Sequence, residues 1–129
     1  MKNKIFIALA GAAALLAAGG GYYLSRGMEA AEVIKKLSGM RLSLELYRQE
    51  YRRLPASFKE TLRAGTLEEA PELKLSRHLK TSLVRETPSM LIKDTGGWAY
   101  VNNSKDTDFG LLYIDCAHKD EKGRFWSEF

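Results

Sequence analysis

The stretch EAAEVIKKLSGMRLSLELYRQEYRRL, residues 29–54, decides the fold of this chain. Its apolar and aromatic side chains recur at alternating spacings of three and four residues. They are Ala30, Val33, Leu37, Met40, Leu44, Tyr47, Tyr51 and Leu54. This spacing keeps side chains on one face of an α-helix, whereas a strand would need a spacing of two. We therefore predict an amphipathic helix, which ends at Pro55 because proline lacks an amide proton and disfavours helical geometry before it.

The first part of this apolar stripe is predicted to contact a partner. From Met40 to Leu54 we expect packing on the chain's own sheet. The residues nearer the N-terminus follow a membrane-type segment too closely for a small domain to cover them. We therefore predict a partner-helix interface formed by Ala30, Val33, Leu37 and Met40.

The segment before the stripe is long and uncharged. Residues 5–24, IFIALAGAAALLAAGGGYYL, contain no charged side chain. A helix of this length, at about 1.5 Å per residue, spans a hydrocarbon core of about 30 Å. Basic residues precede the segment, and a tyrosine pair and Arg26 close it, as at a membrane interface. We expect residues 1–27 to form a single-pass anchor in a bacterial inner membrane, with residues 28–129 in the periplasm or outside the cell.

A cleaved secretory signal is the alternative for the same segment. Its apolar core would be residues 5–16, and Ala17 and Gly19 would supply the small residues before the cut. We favour the anchor because the apolar run continues past that position to the tyrosines.

Only Gly39 and residues 25–27 interrupt the helical pattern, so one helix of about 75 Å is expected from residue 5 to residue 54.

The C-terminal half predicts a short helix and a small sheet. Ser57 is a suitable N-cap for a helix over residues 58–64. Three apolar or alternating segments then lie at residues 89–93, 98–102 and 110–115. Their short connections predict an antiparallel meander. In the tail, Phe125 and Trp126 are expected to cover the sheet or to form a fourth strand.

The predicted fold class is therefore α+β. A long N-terminal helix, with a membrane half and an amphipathic half, packs on a small antiparallel sheet of three or four strands. We expect Pro55, Gly96, Gly97 and Trp98 to be structural anchors of this fold. The two glycines would form a corner of the sheet and allow Trp98 to pack between the sheet and the helix.

Two motifs in this order resemble the type IV pilin and type II secretion pseudopilin superfamily. They are LELYRQEYRRLPASFKE, residues 44–60, followed by GTL, and TGGWAYVNN, residues 95–103. The resemblance implies a structural component without catalytic activity. Such a component assembles with other pilin-like subunits or with proteins of a secretion or pilus machinery. The chain lacks the usual prepilin leader, since no Phe follows its N-terminal glycines and no acid precedes Glu29.

Charge and residue content argue against several other functions. The net charge is +4, but residues 29–129 hold 17 bases and 16 acids, so we expect no nucleic-acid surface. A lone Cys116 excludes an intrachain disulfide and cysteine-rich metal sites, and we expect it to be a buried structural thiol. His78 has no ligand-type residue at a suitable spacing and is expected to be solvated. His118 lies near Cys116 without an evident third partner, so no enzyme activity is predicted.

No cofactor is expected, with calcium as the alternative. Asn102, Ser104, Asp106 and Asp108 place oxygen donors at alternate positions, which suits this ion. The resemblance favours Asp106 and Asp108, since some major pseudopilins bind calcium in a loop near the C-terminus. A polar hairpin loop is preferred, because no glutamate follows at the twelfth position of an EF-hand pattern.

Overall fold

The computed structural model describes all 129 residues and confirms the α+β class. Its three helices are α1 (Lys2–Ser25), α2 (Ala30–Tyr51) and α3 (Phe58–Arg63). Its three strands are β1 (Val84–Thr87), β2 (Trp98–Val101) and β3 (Leu112–Ile114), and a 3₁₀ turn, Trp126–Glu128, ends the chain. The short helix α3 agrees with its predicted range, residues 58–64, to within one residue.

The junction between α1 and α2 is not helical, so the prediction of one continuous helix is wrong. Arg26 is extended, with φ −92° and ψ 141°. Gly27 packs against the backbone of Ser76, whose nitrogen would lie 2.5 Å from a Cβ at this position. The Met28 amide donates to the Lys74 carbonyl at 2.8 Å. These contacts with a distant segment replace helical hydrogen bonds, which is why local helix propensity does not decide the conformation here.

The sheet has the order β1-β2-β3 and is mixed. β2 and β3 are antiparallel, as predicted, with Trp98 opposite Ile114. β1 runs parallel to β2, with Val84 opposite Trp98. The predicted strand at residues 89–93 is wrong, and β1 takes its place. Residues 88–97 instead carry the chain back to the start of β2, which a parallel neighbour requires.

Both faces of the sheet are covered. One face contributes Trp98, Tyr100, Leu112 and Ile114 to the main core, together with the stripe of α2. The opposite face, with Ala99, Val101 and Tyr113, packs against Ile92 of the returning loop and against Leu111. This outer face is therefore buried as well, with Ala99, Val101 and Tyr113 at most 1% exposed. Ile92 of the 88–97 loop packs on this face instead of belonging to a strand.

The stripe of α2 is buried in the protein's own core over its whole first half. The four residues predicted to contact a partner helix are at most 2% exposed, namely Ala30, Val33, Leu37 and Met40. They are therefore not an accessible interface, contrary to the prediction. The C-terminal tail helps to cover them, since Trp126 enters the same cluster and the Ala30 amide donates to Glu121 at 3.0 Å.

Helix α1 differs from the rest of the chain in its surroundings. It is long and apolar enough to cross a membrane, and none of its residues is buried in the structure. A signal sequence would have the same length and composition. The helix contacts the folded domain only around its last turn, where the Arg77 amide donates to the Leu24 carbonyl at 2.6 Å.

Candidate metal centre

Four side chains with metal-binding groups converge at one end of the sheet. They are His78, Asp94, Cys116 and His118, and each directs one ligand atom into the cluster. The chain contains only one cysteine and two histidines, so every thiol and imidazole of the protein meets at this point. We call these four residues the His–Asp–Cys cluster.

Five of the six distances between the ligand atoms of the cluster lie between 3.2 and 3.5 Å. The Nε2 atom of His78 lies 3.2 Å from Nδ1 of His118 and 3.3 Å from Sγ of Cys116. The distance between Sγ of Cys116 and Nδ1 of His118 is 3.5 Å. The Asp94 Oδ1 atom is 3.2 Å from the His78 nitrogen and 3.3 Å from the His118 nitrogen. All the ligand atoms lie within 4.8 Å of one another.

Three separate segments supply these side chains. Cys116 and His118 follow the end of β3 directly. His78 lies in the segment between Leu73 and Thr81, which form an isolated antiparallel bridge. Asp94 belongs to the loop between β1 and β2 and adopts a left-handed φ of 58°. The topology of the sheet therefore brings together residues that are far apart in the chain.

Gly96 makes room for the His78 ring. Its φ of +75° lies in the left-handed region, and a Cβ here would clash with the imidazole, coming within 2.6 Å of Nδ1. The Gly96 amide also donates to the Asp115 carbonyl at 2.9 Å, which holds the loop on β3. Only glycine satisfies both the conformation and the close approach.

Backbone amides support two of the ligand atoms. The Ala117 amide donates to Oδ1 of Asp94 at 2.8 Å, and the His118 amide donates to Sγ of Cys116 at 3.3 Å. Burial, with the Asp94 carboxylate as a smaller cause, raises the pKa of the Cys116 thiol to about 11. Without a bound cation the sulfur therefore stays protonated at neutral pH.

The cluster is closed on one side and open on the other. Cys116 is fully buried, and the His78 side chain is 9% exposed. Asp94 and His118 are 38% and 31% exposed, so they form the solvent side. An ion can therefore reach the cluster from solvent without a rearrangement of the core.

The structure corrects what the sequence predicted for these residues. Cys116 is buried, as predicted. His78 is not solvated, and the Cys116–His118 pair has further partners in His78 and Asp94. The only local signal is the Cys-Ala-His spacing, which places two ligand types on one short segment.

The calcium candidates do not form a comparable site. Asp106 and Asp108 lie in the polar connection between β2 and β3, where the Asp108 amide donates to Oδ1 of Asp106 at 2.8 Å. They are not part of a group of three or more ligand-type side chains. Calcium binding by these two residues stays a prediction.

The predicted structural anchors lie beside the cluster or in the core. Trp98 is fully buried, and its Nε1 donates to the Pro71 carbonyl at 2.9 Å. The Pro55 carbonyl accepts from the Tyr100 hydroxyl at 2.6 Å. At Gly97 a Cβ would lie 3.1 Å from the Leu83 carbonyl oxygen, so this glycine permits close packing of two loops.

Comparison of the chain with family models, with curated proteins and with solved structures gives no match in any of the three. The geometry of the chain itself is therefore the basis for a function.

Proposed function

We propose that this protein is a membrane-anchored, pilin-like structural component that acts through protein–protein assembly in a secretion or pilus system. Helix α1 would cross a bacterial inner membrane once. The domain from residue 28 onward would lie in the periplasm or outside the cell. Its partners would be other pilin-like subunits or proteins of the same machinery, and the role requires no catalysis.

The observation that carries this proposal is that α1 does not pack against the folded domain except around its last turn. An apolar helix of 24 residues with no buried residue exposes a large hydrophobic surface. In water this exposure is unfavourable at about 25 cal/mol per Å². A bilayer removes the cost and matches the length of the helix. The charge pattern supports a cytoplasmic N-terminus, because Lys2 and Lys4 precede the helix.

An exposed apolar groove beside β1 supports the assembly role. β1 is an edge strand that pairs only with β2. Beside it lies a groove of about 370 Å³, flanked by Leu79 and Leu83, which are 69% and 77% exposed. Unpaired strand edges with apolar neighbours are sites where a second chain can add a strand. This groove therefore replaces the buried stripe of α2 as the proposed contact surface.

A photo-crosslinking experiment tests the contact surface. A photoreactive residue placed at Leu83 in cells of the native host is expected to give a discrete protein adduct, because this side chain points away from its own core. The same residue at Leu46, an exposed leucine on α2, is the control and is expected to give none. Mass spectrometry should identify the adduct as a subunit with its own N-terminal apolar helix. No adduct at position 83, or equal adducts at both positions, would contradict the proposed surface.

A secreted domain with a cleaved signal is the second candidate. It would act as a soluble periplasmic binding or accessory protein. The observation that favours it is that all 26 buried residues lie beyond residue 29, so the core is complete without α1.

The N-terminus of the mature protein separates the two candidates. For the anchored form we expect a chain that starts at Met1 or Lys2 and leaves the membrane only with detergent. Intact-mass measurement and N-terminal sequencing of protein from native cells provide the readout. A start near residue 20 in a soluble fraction would refute the anchor and support the secreted form.

A further inference from the structure

We infer that His78, Asp94, Cys116 and His118 bind one zinc(II) ion, which joins three segments of the folded domain. This site goes beyond the proposed assembly role and does not depend on it. Its basis is the arrangement of the His–Asp–Cys cluster, in which the chain's only thiol and both of its imidazoles meet one carboxylate.

Five of the six ligand–ligand distances in the cluster match the edges of a zinc tetrahedron. Zinc–nitrogen and zinc–oxygen bonds of about 2.0–2.2 Å and a zinc–sulfur bond of about 2.3 Å place tetrahedral ligand atoms about 3.3–3.6 Å apart. The N···N distance of 3.2 Å, the N···O distances of 3.2 and 3.3 Å and the S···N distances of 3.3 and 3.5 Å agree with these values. Since all four ligand atoms lie within 4.8 Å of one another, they are close enough to bind a single ion.

Hydrogen bonds alone do not account for this packing. Each histidine has one ring nitrogen in the cluster, which carries at most one proton, and the Asp94 carboxylate carries none when ionised. If both nitrogens donate to Asp94, their contact of 3.2 Å sets two donors against each other. If one is unprotonated, its lone pair faces that of the carboxylate oxygen. A central cation removes this conflict, because every ligand atom then directs a lone pair at it.

The ligand types select the metal. Thiolate, imidazole and carboxylate together are typical of zinc, whereas calcium and magnesium require oxygen ligands in larger number. Copper(I) prefers soft sulfur ligands, of which this cluster has one. A thiolate and a carboxylate also balance the two positive charges of zinc(II), so the bound site is neutral with both histidines uncharged.

The surroundings hold the ligands in position. The amides of Ala117 and His118 donate to the carboxylate and the sulfur, and such contacts orient metal ligands and stabilise their charged forms. Gly96 allows the His78 ring to approach. With four protein ligands and no open position, the site has the composition of a structural zinc centre.

Metal titration of the full-length protein in detergent tests this inference. The protein is reduced, treated with a chelator and titrated with zinc(II) and, separately, with cobalt(II). We expect one equivalent of zinc per chain, measured by elemental analysis after gel filtration, and a higher melting temperature than for the chelated protein. Cobalt(II) should give the intense visible bands of tetrahedral coordination and a thiolate-to-cobalt charge-transfer band.

Ligand variants with matched controls locate the site. His118→Ala is the first choice, since this side chain is partly exposed and its loss leaves the core intact. Loss of a residue that only hydrogen-bonds to a metal ligand weakens metal binding by about 10–100-fold. Since His118 is itself a proposed ligand, its loss should weaken zinc binding by more than that. Cys116→Ser should remove the charge-transfer band. Asp94→Ala should weaken binding, and Asp108→Ala, an exposed aspartate outside the cluster, should leave it unchanged.

Gly96→Ala tests the geometry without changing a ligand. Its Cβ would displace the His78 ring, so we expect weaker zinc binding. Gly65→Ala is the control, because Gly65 has a similar φ of +76° but nothing within 4 Å of a Cβ. This control experiences the backbone strain and keeps wild-type zinc affinity.

Three results would overturn the inference. The first is a protein that retains no zinc after gel filtration. The second is a cobalt spectrum without tetrahedral bands or thiolate charge transfer. The third is a folded His118→Ala protein, checked by circular dichroism, that binds zinc as tightly as the wild type. None of these results bears on the crosslinking at Leu83, so the two proposals fail separately.

Discussion

Replacing Trp98 by alanine is expected to destabilise the domain by about 3–5 kcal/mol. The indole is fully buried and packs in the cluster that joins the sheet to α2. The change would leave a cavity and remove the hydrogen bond to the Pro71 carbonyl. A loss of this size is a large part of the about 5–15 kcal/mol that stabilises a typical domain. Urea unfolding followed by circular dichroism in detergent provides the measurement.

Two companion variants separate the causes. Trp98→Phe keeps most of the packing and removes the indole donor, so its cost should be clearly smaller. Phe125→Ala changes an aromatic residue that is 40% exposed and should alter stability little. If Trp98→Ala unfolds at nearly the wild-type urea concentration, the indole is not a core anchor of the folded protein.

Asp115→Asn is expected to cost up to about 3 kcal/mol, the lower end of the loss for a buried ion pair, because Asp115 is buried but the Arg85 side chain is 19% exposed. The carboxylate is fully buried and accepts from Arg85 at 3.0 Å, Thr95 at 2.7 Å and the Lys93 amide at 2.7 Å. Burial by itself would raise the pKa of Asp115, but these hydrogen bonds hold it below its usual value. An asparagine amide would direct N–H groups at the Arg85 guanidinium or at the other donors.

The same urea measurement tests this substitution, and the chain offers a matched control. Asp108→Asn changes an exposed aspartate that lies in the polar connection between β2 and β3, and it should be nearly neutral. A wild-type midpoint for Asp115→Asn would show that the contacts of the Asp115 carboxylate with Arg85, Thr95 and Lys93 do not stabilise the fold.

The local elements of the fold were predictable from sequence. The stripe of α2 has a clear helical spacing, and its residues from Ala30 to Tyr47 are buried as a helix face. Ser57 caps the short helix α3 by accepting from the Lys59 amide. Trp98 and Trp126 also enter the core. In each case a few neighbouring residues determine the outcome.

Features that depend on distant contacts were not predictable. The helix breaks near Gly27, where the backbone packs against Ser76 and the Met28 amide donates to the Lys74 carbonyl instead of to a helical partner. The strand at Val84–Thr87 pairs parallel with β2. Its sequence does not alternate between apolar and polar residues, so nothing local marks it as a strand in preference to the apolar residues that follow. The resemblance to pilins stays a prediction.

The His–Asp–Cys cluster lay beyond sequence analysis for the same reason. Only Cys116 and His118 are close in sequence. His78 and Asp94 join them because the segment bridged at Leu73 and Thr81 and the 88–97 loop both reach the end of β3. Spacing rules identify metal sites when pairs of ligands share a short segment, and here two of the ligands arrive singly.

No free linker separates α1 from the folded domain. The last carbonyls of the helix are held by the folded domain, through the Arg77 amide at Leu24 and the Ser76 hydroxyl at Ser25. The Lys80 amide likewise contacts the Tyr23 hydroxyl at 3.2 Å. If α1 crosses a bilayer, the domain therefore rests on the lipid surface instead of swinging above it. Leu79 precedes Lys80, whose amide contacts α1, so a protein that binds Leu79 would also lie close to the bilayer surface.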